Sequence, residues 1–418
     1  MEWDTTDTTC TLGGTASGSA SATVSYPDAA TLKVDVTTDF TSGETLIISA
    51  LSFTNFTAES TTDNLELSTN GGTIYRAEDD KTLIIGSSIA STGDGGDWDA
   101  GATWAGGLVP GVDDRAVIAT GDTVTFAQDD TTATCAGINI EAGGTLEFDT
   151  AADRTLIVDG DIHVYGTLTV RAATTFTTAI KFDCETDAQF GLIVHDTGFL
   201  DVLGVSKAEQ NCLITAFTQD GAHNGYVYLM ADSETILKYA EISYMGASED
   251  PKRGIYADDV DGNVADEGLI VKGCDIHDCF TGIYVGYSDY NVFINNSSYS
   301  NTVGIRLGFS DYNLIKSNAV YNNAWQGIRF QTGCDYNTVI GNTAKSNQNG
   351  LVLNGSTYNK IYHNVSIDND FSGIHLSETS PNNTLRNNIF HDNDVYEIYV
   401  GDNSQTGFVS DYNIIYDG

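Results

Sequence analysis

Three asparagines spaced five residues apart recur five times in succession, once every 22 to 24 residues. They are Asn291, Asn296 and Asn301; Asn313, Asn318 and Asn323; Asn337, Asn342 and Asn347; Asn359, Asn364 and Asn369; and Asn383, Asn388 and Asn393. Coils stacked on one another would hold such a register. In a parallel stack equal positions lie about 4.8 Å above one another, and an asparagine at each level can bond its amide to the amides above and below. Asn is also expected to turn the corner itself, because it tolerates the left-handed backbone. A glycine opens each repeat, at Gly254, Gly282, Gly304, Gly327, Gly350 and Gly373, with Glu397 in the seventh place. Behind it come phrases such as Ile283-Tyr284-Val285 and Ile328-Arg329-Phe330, the alternation of a strand with one buried face. Ile315, Val339, Ile361 and Leu385, each two residues after the first asparagine, are expected inside. The fold this predicts over residues 254–418 is an all-β solenoid, a parallel β-helix, right-handed because parallel crossovers almost always are.

Leucine-rich repeats have a similar period and also carry asparagine ladders. They need several Leu per turn and a helical return, whereas these turns have few Leu and no 3.6-residue periodicity. The pattern resembles the parallel β-helix repeat family, which includes pectate-lyase-like enzymes, polyuronate epimerases and many surface proteins.

Upstream the rhythm changes. Residues 1–92 hold alternating segments, Thr31–Val36, Thr45–Ser49, Asn64–Leu67 and Thr82–Gly86, and predict a small β-sandwich-like domain. The Gly/Asp-rich stretch Ser91–Asp97 is the expected boundary. Residues 97–171 open on Trp98, Trp104 and Pro110-Gly111, then carry Gly144-Thr145-Leu146 and Gly166-Thr167-Leu168. This segment resembles the eight-glycine domain of some extracellular surface proteins, and the resemblance implies β-helix-like coils that join a longer solenoid. Residues 172–253 read as irregular early coils.

Charge narrows the function classes. The chain has 58 Asp and Glu against 18 Lys and Arg, a formal charge of −40. That balance disfavours nucleic acid and anionic lipid as partners. No run of 18 apolar residues marks a membrane span, and Met1-Glu2-Trp3-Asp4 has no leader-like pattern. The seven cysteines are scattered and form no Cys-x-x-Cys pair, which argues against zinc. Cys274 and Cys279 stand where the second and third ladder asparagines would be.

The residue two after each opening glycine is expected to face outward. Up the solenoid these are Tyr256, Tyr284, Arg306, Arg329, Val352, His375 and Tyr399. Only eight Arg occur in the chain, and two fall on neighbouring rungs of this stripe. Arg pairs with carboxylate or sulfate in fork geometry, and Tyr offers a face to sugar rings, so the glycan-binding candidates are Tyr256, Tyr284, Arg306, Arg329, His375 and Tyr399. His375 or Tyr284 is the candidate for moving a proton α to a uronate carboxyl. Against catalysis, the Asp-Pro-His-Glu phrase of polyuronate epimerases is missing, and no catalytic residue is assigned. The Asp-Tyr-Asn phrases at 289, 311, 335 and 411 read as corners. No cofactor is expected, with calcium at Asp258-Asp259-Val260-Asp261 and Glu249-Asp250 the open alternative. Asn413 and Gly418 match the second and third ladders, so the chain is expected to stop partway through a coil, as a piece of a longer protein or as an end that stacks on another copy. The favoured reading is an extracellular or cell-surface solenoid with a structural or adhesive role that contacts polysaccharide. The alternative is a lyase or C5 epimerase acting on acidic glycans.

Overall fold

The computed structural model describes residues 2–28, 31–41, 44–51, 53–54, 60–69, 74–85, 88–127, 133–262 and 268–416, with side chains undescribed between 52 and 87. Gly418, expected on the third ladder, lies outside the described residues. The chain divides into two compact units, residues 1–87 and 88–418. The first is built of antiparallel pairs, Thr11–Gly13 with Ile47–Ser49, Ala20–Asp28 with Thr31–Val36, Ser60–Thr69 with Ile74–Ile85, and Glu2–Trp3 with Phe53–Thr54. The strand expected at Thr31–Val36 has those bounds.

The second unit is a parallel β-solenoid with three sheets running its length. Sheet 1 has thirteen strands from Ser88–Ala90 to Tyr396–Val400; sheet 2 has thirteen from Gly95–Asp97 to Val409–Asp411; sheet 3 has twelve from Ala133–Cys135 to Ile414–Tyr416. The stretch Ser91–Asp97 therefore forms the first corner and strand of a coil. The Trp-rich segment is solenoid too. Trp98, fully buried, packs edge-on against Trp104 at 5.1 Å and Phe126 at 5.6 Å, filling the first coil.

Alternation decides what enters the core. Ile283 and Val285, Ile305 and Leu307, and Ile374 and Leu376 point inward and are fully buried, as are Ile315, Ile361 and Leu385 of sheet 2. Each such side chain contributes roughly 1.5–3 kcal/mol of burial.

The corners carry the ladders, with one correction. The residue in the left-handed region is the one before each ladder asparagine: Tyr290, Asn295 and Ser300 in one coil, Tyr336, Gly341 and Ser346 in another, with φ between +53° and +68°. That residue turns the chain, and the following Asn points into the corner. Its amide acts mainly on backbone. Asn342 accepts from the N–H of Asn318 at 2.8 Å, donates Nδ2 to Ile315 O at 2.9 Å, and reaches Asn364 Oδ1 at 3.0 Å. Amide-to-amide bonds link the second and third ladders, whereas in the first ladder Nδ2 turns to carbonyls such as Ser310 O. Cys274 and Cys279 occupy ladder positions as expected, their N–H groups donating to Asn296 and Asn301 at 2.9 Å. All seven cysteines are free and buried.

A fourth ladder, unread in the sequence, lines the corner between sheets 1 and 2. Ser288, Ser310, Ser356, Ser380 and Ser404 stack there, with Cys334 taking one level; Ser380 N donates to Ser404 Oγ at 2.9 Å. Beside it Asp261, Asp289, Asp311 and Asp335 each accept a backbone N–H from the coil above, at 2.6–2.7 Å. The Asp-Tyr-Asn phrases at 289, 311 and 335 are thus one corner. Asp411 differs, because it ends a sheet 2 strand and Asn413 joins the second ladder.

Candidate ligand-binding face

Strand register places the predicted residues in one outward column of sheet 1. Tyr256, Tyr284, Arg306, Arg329, Val352, His375 and Tyr399 are paired in that order on consecutive rungs. The column continues downward to Tyr228, which aligning Gly225 with the opening glycines would miss by one residue, since Val227 pairs with Ile255 and Tyr228 with Tyr256.

Tyr256 is not an open contact. It is 8% exposed, with its ring 5.7 Å from that of Tyr228 and 4.7 Å from that of Tyr284. Burial pushes its hydroxyl pKa upward, with the nearby Asp258 carboxylate adding to the shift. Tyr284 is half-buried and likewise raised by burial, against the opposing charge of Arg306. The Arg306 guanidinium lies over the Tyr284 ring, 4.4 Å from its centroid, and bonds Gln331 Oε1. The buried Nε atoms of Arg306 and Arg329 have no hydrogen-bond partner among the described residues. Higher up, His375 stacks on Tyr399 at 4.3 Å, and burial lowers its pKa, so the ring is neutral at pH 7. A hollow of about 150 Å³ opens beside it, lined by Gln326, Asn349, Val352 and Phe371. The column is therefore an aromatic base carrying two adjacent cations, with a neutral imidazole three rungs from Arg306.

Two of the acidic residues read as calcium candidates are engaged otherwise. Asp261 caps the aspartate ladder, and Asp250 pairs with Arg253. Among the described residues no group of three His, Cys, Asp or Glu side chains is placed to hold a metal. Sequence reasoning also passed over a cleft of about 530 Å³ at the corner between sheets 3 and 1, lined in part by Asp187, Asp220, Tyr244 and Phe280.

Residues 217–417 match the family model described as NosD, periplasmic copper-binding protein. Several candidate copper donors within that span are engaged or buried, and no three of its His, Cys, Asp or Glu side chains are placed together among the described residues. His223 is held by Asp220 at 2.9 Å, and His277 by Asp278 at 2.7 Å and Glu241 at 3.4 Å. Met245 is fully buried in the core. Burial pushes the Cys274, Cys279 and Cys334 thiols up to about 12, so they stay protonated and inaccessible. Outside the span, His163 and His195 face each other at 2.9 Å, and no third ligand joins them among the described residues.

Among solved structures, the chain is similar to the periplasmic alginate epimerase AlgG, at 13% identity over 69% of this chain and 79% of that one, with a TM-score of 0.46. It is also similar to the Azotobacter vinelandii mannuronan C-5 epimerase AlgE4 A-module (15% identity, 73% and 86% covered, TM-score 0.34) and to the Dettilon tailspike protein gp208 (17%, 71% and 62%, TM-score 0.33). Against AlgG mutant chains the match spans 59–65% of that protein's length. These likenesses concern the fold alone. No curated protein matches the chain.

Proposed function

We propose that this chain is a glycan-contacting β-solenoid that works outside the cytoplasm and holds an acidic polysaccharide along the outward column of sheet 1. One observation carries the reading. Arg306 and Arg329, drawn from eight Arg in a chain of charge −40, sit on adjacent rungs above a tyrosine base. Stacked strands put them about 4.8 Å apart along the axis, and each guanidinium can fork onto a carboxylate or sulfate. The family model's description supports a place in the periplasm or beyond.

The enzyme reading loses ground on geometry. Tyr284 and His375 are four rungs apart, about 19 Å by strand spacing, so they cannot serve as acid and base on one sugar carbon. Tyr284 also stays protonated at neutral pH, since burial raises its pKa. Any lyase or epimerase chemistry would centre on His375, with Tyr399 stacked on it at 4.3 Å.

The test is titration of the whole chain with alginate, pectate and hyaluronan. Losing two charge-assisted contacts in Arg306→Ala/Arg329→Ala is expected to weaken alginate binding at least about tenfold. Unchanged binding would overturn the stripe as the site. Release of unsaturated uronate, or C5 inversion that disappears in His375→Ala, would replace the binding role with catalysis.

A further inference from the structure

A stretch of the outward face of sheet 2, bounded by Asp201 below and Asp411 above, reverses the balance of the chain. One column carries Lys238, Lys272, Lys316 and Arg386. The column beside it carries Ile236, Ile270, Val292 and Leu314 on four consecutive rungs, all half-buried. From the rung of Ile236 to that of Arg386, seven rungs in all, neither column holds an Asp or Glu. With acidic residues outnumbering basic ones 58 to 18, that stretch is a local inversion on the order of 30 Å long by strand spacing. Among the described residues none of the four cations is held in an ion pair.

The edge next to the aliphatic column is aromatic. Tyr290, Tyr312, Tyr336 and Tyr358, between 38% and 47% exposed, stack with centroids 5.0–5.1 Å apart and planes within 6° of parallel. Each inner ring face is covered by the next ring, so between its two end rings the row presents edges and hydroxyls. A sugar ring, which stacks on an open aromatic face, finds none between Tyr290 and Tyr358. Protein interfaces, by contrast, favour Tyr and Arg beside apolar side chains.

We propose that this face docks an acidic protein partner, one that sets aromatic or aliphatic side chains against the isoleucine column and carboxylates against the lysine column. The site is separate from the sheet 1 column and does not depend on glycan binding there. Ordinary strand preference for β-branched residues accounts for the aliphatic column taken singly. It does not account for the exclusion of carboxylates across two columns.

Binding of the whole chain to a random glutamate–tyrosine copolymer tests the idea, with poly-L-glutamate, alginate and phosphatidylglycerol vesicles in parallel. The copolymer is expected to bind at least about tenfold tighter than each of the other three. Lys272→Glu/Lys316→Glu should abolish that preference, while Arg306→Ala/Arg329→Ala leaves it intact; charge reversal at a docking face commonly has effects of this size. Both variants change exposed or half-buried surface side chains, and circular dichroism confirms the fold before binding is read. No copolymer binding, equal binding of poly-L-glutamate, or binding indifferent to the charge reversal would overturn the proposal. So would alginate or vesicles binding as tightly as the copolymer through Lys272 and Lys316.

Discussion

Asn342 takes the N–H of Asn318 from the coil below, and gives its own N–H and one amide hydrogen to Asn364 above. Removing it leaves the Asn318 N–H buried without a partner and takes from the Ile315 carbonyl its second donor, beside the sheet bond of the Ile315–Val339 register. The orphaned N–H alone costs about 1–3 kcal/mol. Asn342→Ala should therefore lose on the order of 1–3 kcal/mol in denaturant unfolding, against little for the exposed Lys360→Ala. A second residue-scale prediction concerns His277. Burial lowers its pKa, yet its bonds to Glu241 and Asp278 outweigh burial and hold it above the ordinary 6.5. A raised histidine stabilises fully below its unfolded pKa and loses that contribution as pH rises through the folded value. The melting-temperature gap between the native chain and His277→Gln should be widest at and below pH 6.5 and should close above it. A gap that grows with pH would contradict the pairing. Of these two residues, the sequence exposed Asn342 through its fivefold spacing. The surroundings of His277 come from Glu241, a full coil away, which no spacing rule links to it.

At the scale of an element, the opening glycines explain themselves only in the stack. A Cβ on Gly327 would lie 2.8 Å from Gly350 O and 3.0 Å from Asn347 Nδ2, atoms of the coil above. The third ladder thus favours glycine at Gly304, Gly327 and Gly350, where an added Cβ would meet a ladder amide at 3.0 Å. Gly327→Ala should destabilise by about 1–3 kcal/mol, the usual effect of overpacking, and calorimetry would show it. Gly121→Ala is no simple control, since its own φ is +88°. The serine corner escaped the sequence reading although Ser288, Ser310, Ser356 and Ser380 each precede a first-ladder asparagine by three residues. Serine is common in turns, so its recurrence does not stand out as Asn does. Cys334→Ser, which restores the ladder residue, should be close to neutral in stability.

On the scale of the molecule, two properties govern behaviour. Coils touch mainly their neighbours, so stability is close to a sum of local terms. In Asn342→Ala, hydrogen-exchange protection should fall in the rungs around Thr338–Ile340 and persist at Gly137–Ile140, many coils away. The net charge of −40 acts on the whole body at once. Raising salt from 0.01 M to 1 M shortens the screening length from about 30 Å to about 3 Å, so the melting temperature should climb with NaCl. A falling profile would mean that ion pairs, few among the described residues, matter more than self-repulsion.

The sequence by itself determined the solenoid, its period, its inward residues and the outward column of Tyr, Arg and His. All of these follow from a repeat that superposes equal positions. Only the tertiary structure decided which residue of each corner is left-handed, that Tyr256 is covered while Arg306 and Arg329 are half-exposed, and that a carboxylate-free stretch of two columns lies on sheet 2. Those features depend on neighbours one coil apart in space and more than twenty residues apart in sequence, where irregular early coils shift the register that a linear reading must assume.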